Sequence, residues 1–374
     1  MKNIQMVDLK NQYLAIKLEI DAAIEKVLLD TSFIQGSEVK LFAQELSEFT
    51  GSKHVIPCGN GTDALQVAMM ALDLKRGDEV ILPVHTYVAT AEVIALLGLV
   101  PVFADVHPEL FTLDVGALKS LITTKTRAIV PVHLYGQCAD MESILEFAKQ
   151  NKLFVIEDAA QALGAVYTFS DGKKMQAGTM GHFGTTSFFP SKNLGCYGDG
   201  GAIFTDDKNL AESAAMICNH GQRIKYYHEI VGINSRLDTL QAAVLRVKLR
   251  YLKNYETSRQ AAAAIYDQQL TGLHGLTLPA RSQRSSHVFH QYTLQCTRRN
   301  ELIDHLKSLG VPTMIYYPRP LHLQDAYRKP GFGLGSFPIS ERLSDEVVSI
   351  PIHTEMDDAL LEYICSSIRS FFHG

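Results

Sequence analysis

The chain has 374 residues and no tryptophan, and cysteine is sparse. Cys58, Cys138, Cys196, Cys218, Cys296 and Cys365 show no paired spacing. That excludes a disulfide framework and a cysteine-based zinc site. The six read as buried or neutral thiols in a reducing cytosol, and no metal site is expected. Basic charge is not in excess either. The 35 Lys and Arg against 40 Asp and Glu leave a net charge of −5, so no basic field draws in nucleic acid. Acidic small molecules would have to find local positive groups. No apolar run reaches membrane-spanning length, and the opening MKNIQMVDLKNQY lacks the apolar core of a signal peptide. A cytoplasmic protein without nucleic-acid or membrane partners is expected. Internal repeats and low-complexity tracts are lacking as well.

What is present is ordinary for a globular protein: 46% hydrophobic and 20% charged residues. The length exceeds what one core usually serves, so two domains are expected. Apolar residues recur at helical spacing over 16–29 and 42–49. From residue 79 onward, strand and helix patterns alternate. Strands are expected at 79–83, 100–106, 127–133 and 153–157, and helices at 90–97, 115–121 and 141–150. This alternation, with mostly apolar strands, implies an α/β fold with a parallel sheet covered on both faces. Ligands in such sheets bind at the carboxyl ends of the strands. Tyr87, His133, Asp158 and Lys192 all lie at or just past expected strand ends and are candidates to converge there.

Lys192 is the centre of this reading. It follows an apolar strand-like run at 185–189, ended by Pro190 because proline cannot donate to a ladder. The glycine-rich segment GCYGDGG comes next, and it lets backbone approach a ligand closely. A lysine desolvated in such a pocket has a lowered pKa and can form a Schiff base with a carbonyl, including that of pyridoxal 5'-phosphate (PLP). Asp158, ending the run at 154–157, could bind a protonated pyridine nitrogen. It would equally suit a helix N-cap before Ala159 and Ala160. The turn Asn60-Gly61-Thr62-Asp63 opens a helix at 66–72 and offers free N–H groups for a phosphate; plain capping by Thr62 or Asp63 fits the same residues. Tyr87 could stack on a cofactor ring or be a half-buried aromatic.

The order NGTDAL, HTYVATAE, VIEDAAQALGA, TTSFFPSKNLGCYGDGGA and GINSRLDTLQAA resembles the PLP-dependent nucleotide-sugar aminotransferases of the DegT/StrS type. Within them the chain looks most like enzymes acting on UDP-2-acetamido-2-deoxy-3-oxo-glucuronate. The resemblance runs from DLKNQY to YPRPLHLQ. It implies fold type I, the aspartate-aminotransferase fold, with a mostly parallel sheet in the large domain and a smaller α+β C-terminal domain. It further implies Lys192 as the Schiff-base lysine, Asp158 as the partner of the pyridine nitrogen, and Gln161 and Tyr87 flanking the ring. Gly61, Thr62, Asp63 and Ser187 would hold the phosphate. The dehydratases of this fold carry histidine at the lysine position, and Lys192 argues against them. Residues 219–233 would form a loop crossing into the second subunit of a homodimer with shared active sites. There Asn234 would reach the neighbour's phosphate and Arg236 its substrate; a surface ion pair of Arg236 with Asp238 is the plainer alternative. Tyr317 and His322 would stand in the wall of the sugar pocket. The implied partners are a nucleotide sugar and an amino donor, glutamate. The continuous helical pattern at 237–266 links a large domain over 1–245 to a small one over 246–374, and the N-terminal helices are candidates to pack on the latter. Short elements are expected at 291–295, 301–309 and 313–317.

Overall fold

A computed structural model describes residues 4–328 and 331–373. Its centre is a seven-stranded sheet. The strand order is His54–Cys58, Gly201–Thr205, Phe183–Ser187, Phe154–Asp158, Thr126–Ile129, Glu79–Pro83 and Val100–Ala104. The last five run parallel to one another, joined by crossovers that include helices Ala89–Leu96 and Met141–Asn151. The strands are apolar on both sides because both faces are covered. Val80 and Leu82 enter the core beneath helices Gly61–Ala71 and Ala89–Leu96. Ile81, one residue out of phase, enters the opposite core with helix Met141–Asn151.

Within this mostly parallel sheet one strand runs the other way. Gly201–Thr205 is antiparallel to both of its neighbours. It returns through the glycine-rich segment, which forms no helix of the kind that usually carries a parallel crossover.

The C-terminal part builds a separate core. An antiparallel sheet of Leu276–Thr277, Tyr292–Cys296 and Val347–Ile350 is packed by helices Leu252–Leu270, Arg299–Ser308 and Asp358–His373. The continuous helix expected over 237–266 is two helices, Thr239–Leu249 and Leu252–Leu270. Tyr251 N–H turns back to Lys248 O at 3.0 Å, and the break falls there. The first helix buries Val244 and Val247 against Ile16 and Ile20, whereas the second belongs to the C-terminal core. One straight rod could not serve both. At the N-terminus, Gln12 donates to Thr354 at 3.3 Å. Helix Lys17–Asp30 packs on Thr239–Leu249 instead of the C-terminal core. The segment expected at 313–317 makes only a bridge, Met314 to Ser349. The loop at 219–233 carries a short ladder of Gln222–Ile224 with Tyr227–His228. No described helix is long and apolar enough to cross a membrane.

Candidate active site

The carboxyl ends of the parallel strands open into a cavity of about 460 Å³. Asp158, at the end of its strand, is buried on the cavity wall. Its Oδ2 accepts from Thr90 Oγ1 at 2.8 Å and its Oδ1 from Ala160 N–H at 3.2 Å. The N-cap alternative for Asp158 fails because Ala160 begins a turn and no helix follows. Strand alternation sends the preceding Glu157 to the other face. There it accepts N–H groups of Gly178, Met180 and Gly181 at 2.6–2.9 Å and pairs with His133 Nε2 at 2.9 Å. His133 Nδ1 accepts from Ala139 N–H. His133 is therefore held under the sheet and does not line the cavity, contrary to the expected convergence.

Lys192 does line it, beside Asp158. The turn after strand Phe183–Ser187 is closed by Lys192 N–H donating to Phe189 O at 2.8 Å. Burial pushes the Lys192 ammonium down from 10.5 to about 8, with the Asp158 carboxylate opposing the shift.

The N-terminus of helix Gly61–Ala71 also lines the cavity. Its cap is Asn60, whose Oδ1 accepts Asp63 N–H at 2.8 Å; neither Thr62 nor Asp63 caps it. Gly61, Thr62 and Ser187 line the cavity. A Cβ at Gly61 would lie 2.7 Å from Ser187 Cβ, so the helix end and the strand end touch. Asp63 does not line the cavity; its carboxylate lies against Gly59. Tyr87, 56% exposed, stands at the mouth with its ring centroid 6.0 Å from that of Tyr317. Gln161 accepts Tyr135 N–H at 2.8 Å and donates to Tyr317 Oη at 3.1 Å. Burial pushes the Tyr317 phenol up.

Three expected residues are elsewhere. His322 is 1% exposed, with Nε2 3.0 Å from Glu341 Oε1 and its ring against Phe337; it does not line the cavity. Asn234 is exposed and bridges to Asn219. Neither Asn234 nor Arg236 lines this chain's own cavity. Among the described residues Arg236 makes no ion pair, with Asp238 or any other group.

Sequence reasoning missed Thr86, Thr90 and His290. Thr86 Oγ1 and His290 Nδ1 are buried on the cavity without a partner. Buried polar atoms rarely stay unpaired, so a bound group is expected to meet them. Thr86 precedes Tyr87 just past a strand end and was within reach of the strand-end argument. His290 follows Phe289, whose φ is +47°, in an irregular segment without periodicity.

The donor set fits PLP. N–H groups and hydroxyls at a helix N-terminus suit a phosphate, Asp158 suits a pyridinium nitrogen, and an amine of lowered pKa lines the same cavity.

Known proteins agree with this geometry. The family described as "DegT/DnrJ/EryC1/StrS aminotransferase family" matches residues 15–369. A Pseudomonas aeruginosa protein named UDP-2-acetamido-2-deoxy-3-oxo-D-glucuronate aminotransferase is 45% identical, over 98% of this chain and 100% of its own. A Geobacillus stearothermophilus protein named pleiotropic regulatory protein is 43% identical over 99% of each. Among solved structures, DesV of S. venezuelae, in complex with a ketimine intermediate, superposes with a TM-score of 0.96 at 39% identity, covering 100% of both chains. The chain belongs to the DegT/DnrJ/EryC1/StrS aminotransferase family and is a PLP-dependent aminotransferase.

Proposed function

We propose that this enzyme moves an amino group from L-glutamate to the keto carbon of a nucleotide-linked sugar. The sugar is UDP-2-acetamido-2-deoxy-3-oxo-glucuronate, aminated at C3, and the product serves surface polysaccharide such as O-antigen. The observation that carries the reaction class is that Lys192, Asp158 and the N-terminus of helix Gly61–Ala71 line one cavity. The sugar assignment is supported by the name of the 45% identical relative.

PLP, when bound, supplies an electron sink for the carbanion left as a proton departs from Cα. Gly61, Thr62 and Ser187 would bind its phosphate, Tyr87 and Gln161 would flank its ring, and Asp158 would keep the ring nitrogen protonated. Thr90 and Ala160 fix the Asp158 carboxylate. Lys192 would hold the cofactor, and its free amine would move the proton at the donor's Cα; a pKa lowered to about 8 suits an amine to both taking up and giving back a proton near neutrality. The two sites of a homodimer are shared. Asn234 and Arg236 reach the neighbour's phosphate and substrate, which their absence from this chain's own cavity supports.

The nearest competing reading is a dTDP-linked 3-keto-6-deoxy sugar, supported by a relative from Streptomyces venezuelae at 42% identity named dTDP-3-amino-3,4,6-trideoxy-alpha-D-glucose transaminase. The C6 carboxylate separates the two. It needs a cation, and among the described residues Arg236 has no internal ion pair to give up. Losing a hydrogen bond to a charged group costs roughly 1.5–3 kcal/mol, about ten- to a hundredfold in affinity. In direct competition the uronic acid is aminated faster than the 6-deoxy sugar, and Arg236→Ala erases much of that preference. Faster amination of the dTDP sugar by the wild type would favour the competing reading.

A further inference from the structure

Lys248 has no part in the chemistry above, yet it is a lysine 1% exposed. Among the described residues it pairs with no carboxylate. Its Nζ donates to the backbone oxygen of Gly195 at 2.6 Å, and the Tyr197 ring centroid lies 5.4 Å away. Burial lowers its ammonium to about 8. A buried cation without a counter-charge is costly, and an apolar side chain would fill the same space without that cost. The carbonyl it serves lies three residues past Lys192.

The turn between them is tight. A Cβ at Gly195 would fall 2.2 Å from Pro190 O. Lys192 N–H is tied to Phe189 O, and Cys196 N–H to Phe188 O at 2.8 Å. Two turns earlier on the helix of Lys248, Gln241 accepts Tyr197 N–H at 2.8 Å and donates to Tyr197 O at 3.4 Å. Helix Thr239–Leu249 thus grips Gly195 and Tyr197 by their main chain. On the other flank Asn193 donates to Val288 O at 3.0 Å. Of these ties, the Lys248 bond is the one made by a buried charge. Charge-assisted hydrogen bonds are the stronger and shorter kind.

We propose that Lys248 is a positioning residue for Lys192: by fixing the Gly195 carbonyl it holds the turn that aims the Lys192 amine into the cavity. The inference rests on the reading that Lys192 carries the proton in transamination. A purely structural lysine would contribute to stability alone; a positioning one sets the rate of proton transfer in molecules that are folded and loaded with cofactor.

The test uses holoenzyme mixed rapidly with saturating glutamate. Loss of the visible cofactor band is followed in a single turnover, with ordinary and α-deuterated glutamate. Lys248→Met should keep its cofactor, and its half-reaction should slow by about tenfold or more, the scale of a misaligned reacting group. The half-saturating glutamate concentration should stay nearly unchanged, and the deuterium effect should rise. Lys248→Arg, which keeps a cationic donor, should recover much of the rate. A wild-type rate and isotope effect in loaded Lys248→Met would overturn the proposal, even with a lowered melting temperature. If Lys248→Met fails to fold, a Lys248→Arg protein that loads and melts normally must keep a near-wild-type rate; a tenfold loss there would overturn the proposal. Wild-type enzyme whose half-reaction shows no deuterium effect and survives Lys192→Ala would instead overturn the underlying reading of Lys192.

Discussion

Thr90, in the first turn of helix Ala89–Leu96, donates a 2.8 Å hydrogen bond to Oδ2 of Asp158 at the end of strand Phe154–Asp158. The hydroxyl is fully buried, so its bond is not traded for water. The aspartate proposed to meet the ring nitrogen is thus aimed by a neighbouring crossover helix. Asp158→Asn should retain PLP and lose most turnover, since a neutral amide cannot stabilise the pyridinium. Thr90→Val should lose less, about ten- to a hundredfold in kcat, the range for one hydrogen bond to a charged group. Measured kcat values, normalised to cofactor absorbance, check both. Near-normal turnover of Asp158→Asn would reduce Asp158 to a turn residue.

The lowered pKa of Lys192 has a sign that stability reports. Folding without cofactor takes the ammonium from 10.5 to about 8. Between those values the unfolded chain binds more protons than the folded one, so stability rises with pH across that window. Below about pH 8 the burial cost is present in full, and above about 10.5 it is gone. Lys192→Met apoprotein should therefore melt above wild-type apoprotein at pH 7, and the gap should narrow from pH 8 to 10.5. Lys248 shifts in the same way in both proteins and cancels. A gap independent of pH would contradict the assignment.

Gly61 is where the helix N-terminus meets the end of a strand. Gly61→Ala places a methyl 2.7 Å from Ser187 Cβ and must push the N–H groups proposed to bind phosphate away from the serine. Cofactor should be held about ten- to a hundredfold more weakly, as for one lost charge-assisted bond, which equilibrium dialysis reads directly. Unchanged cofactor affinity would mean that the phosphate sits elsewhere.

Sharing of the sites is testable by mixing two inactive proteins. Lys192→Ala and the double variant Asn234→Ala/Arg236→Ala, allowed to exchange subunits, should regain part of the activity. One site of each hybrid then has both halves intact. No recovery, with exchange verified by mass, would put Asn234 and Arg236 in the site of their own Lys192.

Much of this arrangement was readable from the sequence wherever a single rule decided the outcome. Apolar runs bounded by polar turns gave the parallel strands to within a few residues, and Asp158 and Lys192 followed from strand ends. The antiparallel strand Gly201–Thr205 was hidden because its glycine-rich approach reads as loop. The break at Tyr251 was hidden because both helices keep a 3.6-residue period and only packing separates them. His133 was drawn toward the site by its place at a strand end, and His322 by the family resemblance. Each instead pairs with a carboxylate, the buried Glu157 or the partly exposed Glu341, and a pairing across 24 or 19 residues leaves no periodic trace. His290 depends on a left-handed Phe289, a backbone state that a phenylalanine does not advertise.

The central claim is that Lys192 carries the cofactor, and borohydride tests it most directly. Reduction of the coloured holoenzyme, followed by peptide mass spectrometry, should find the pyridoxyl group on the peptide containing Lys192 and nowhere else. The group on Lys173 or Lys174, both in the exposed hairpin outside the cavity, would contradict the account.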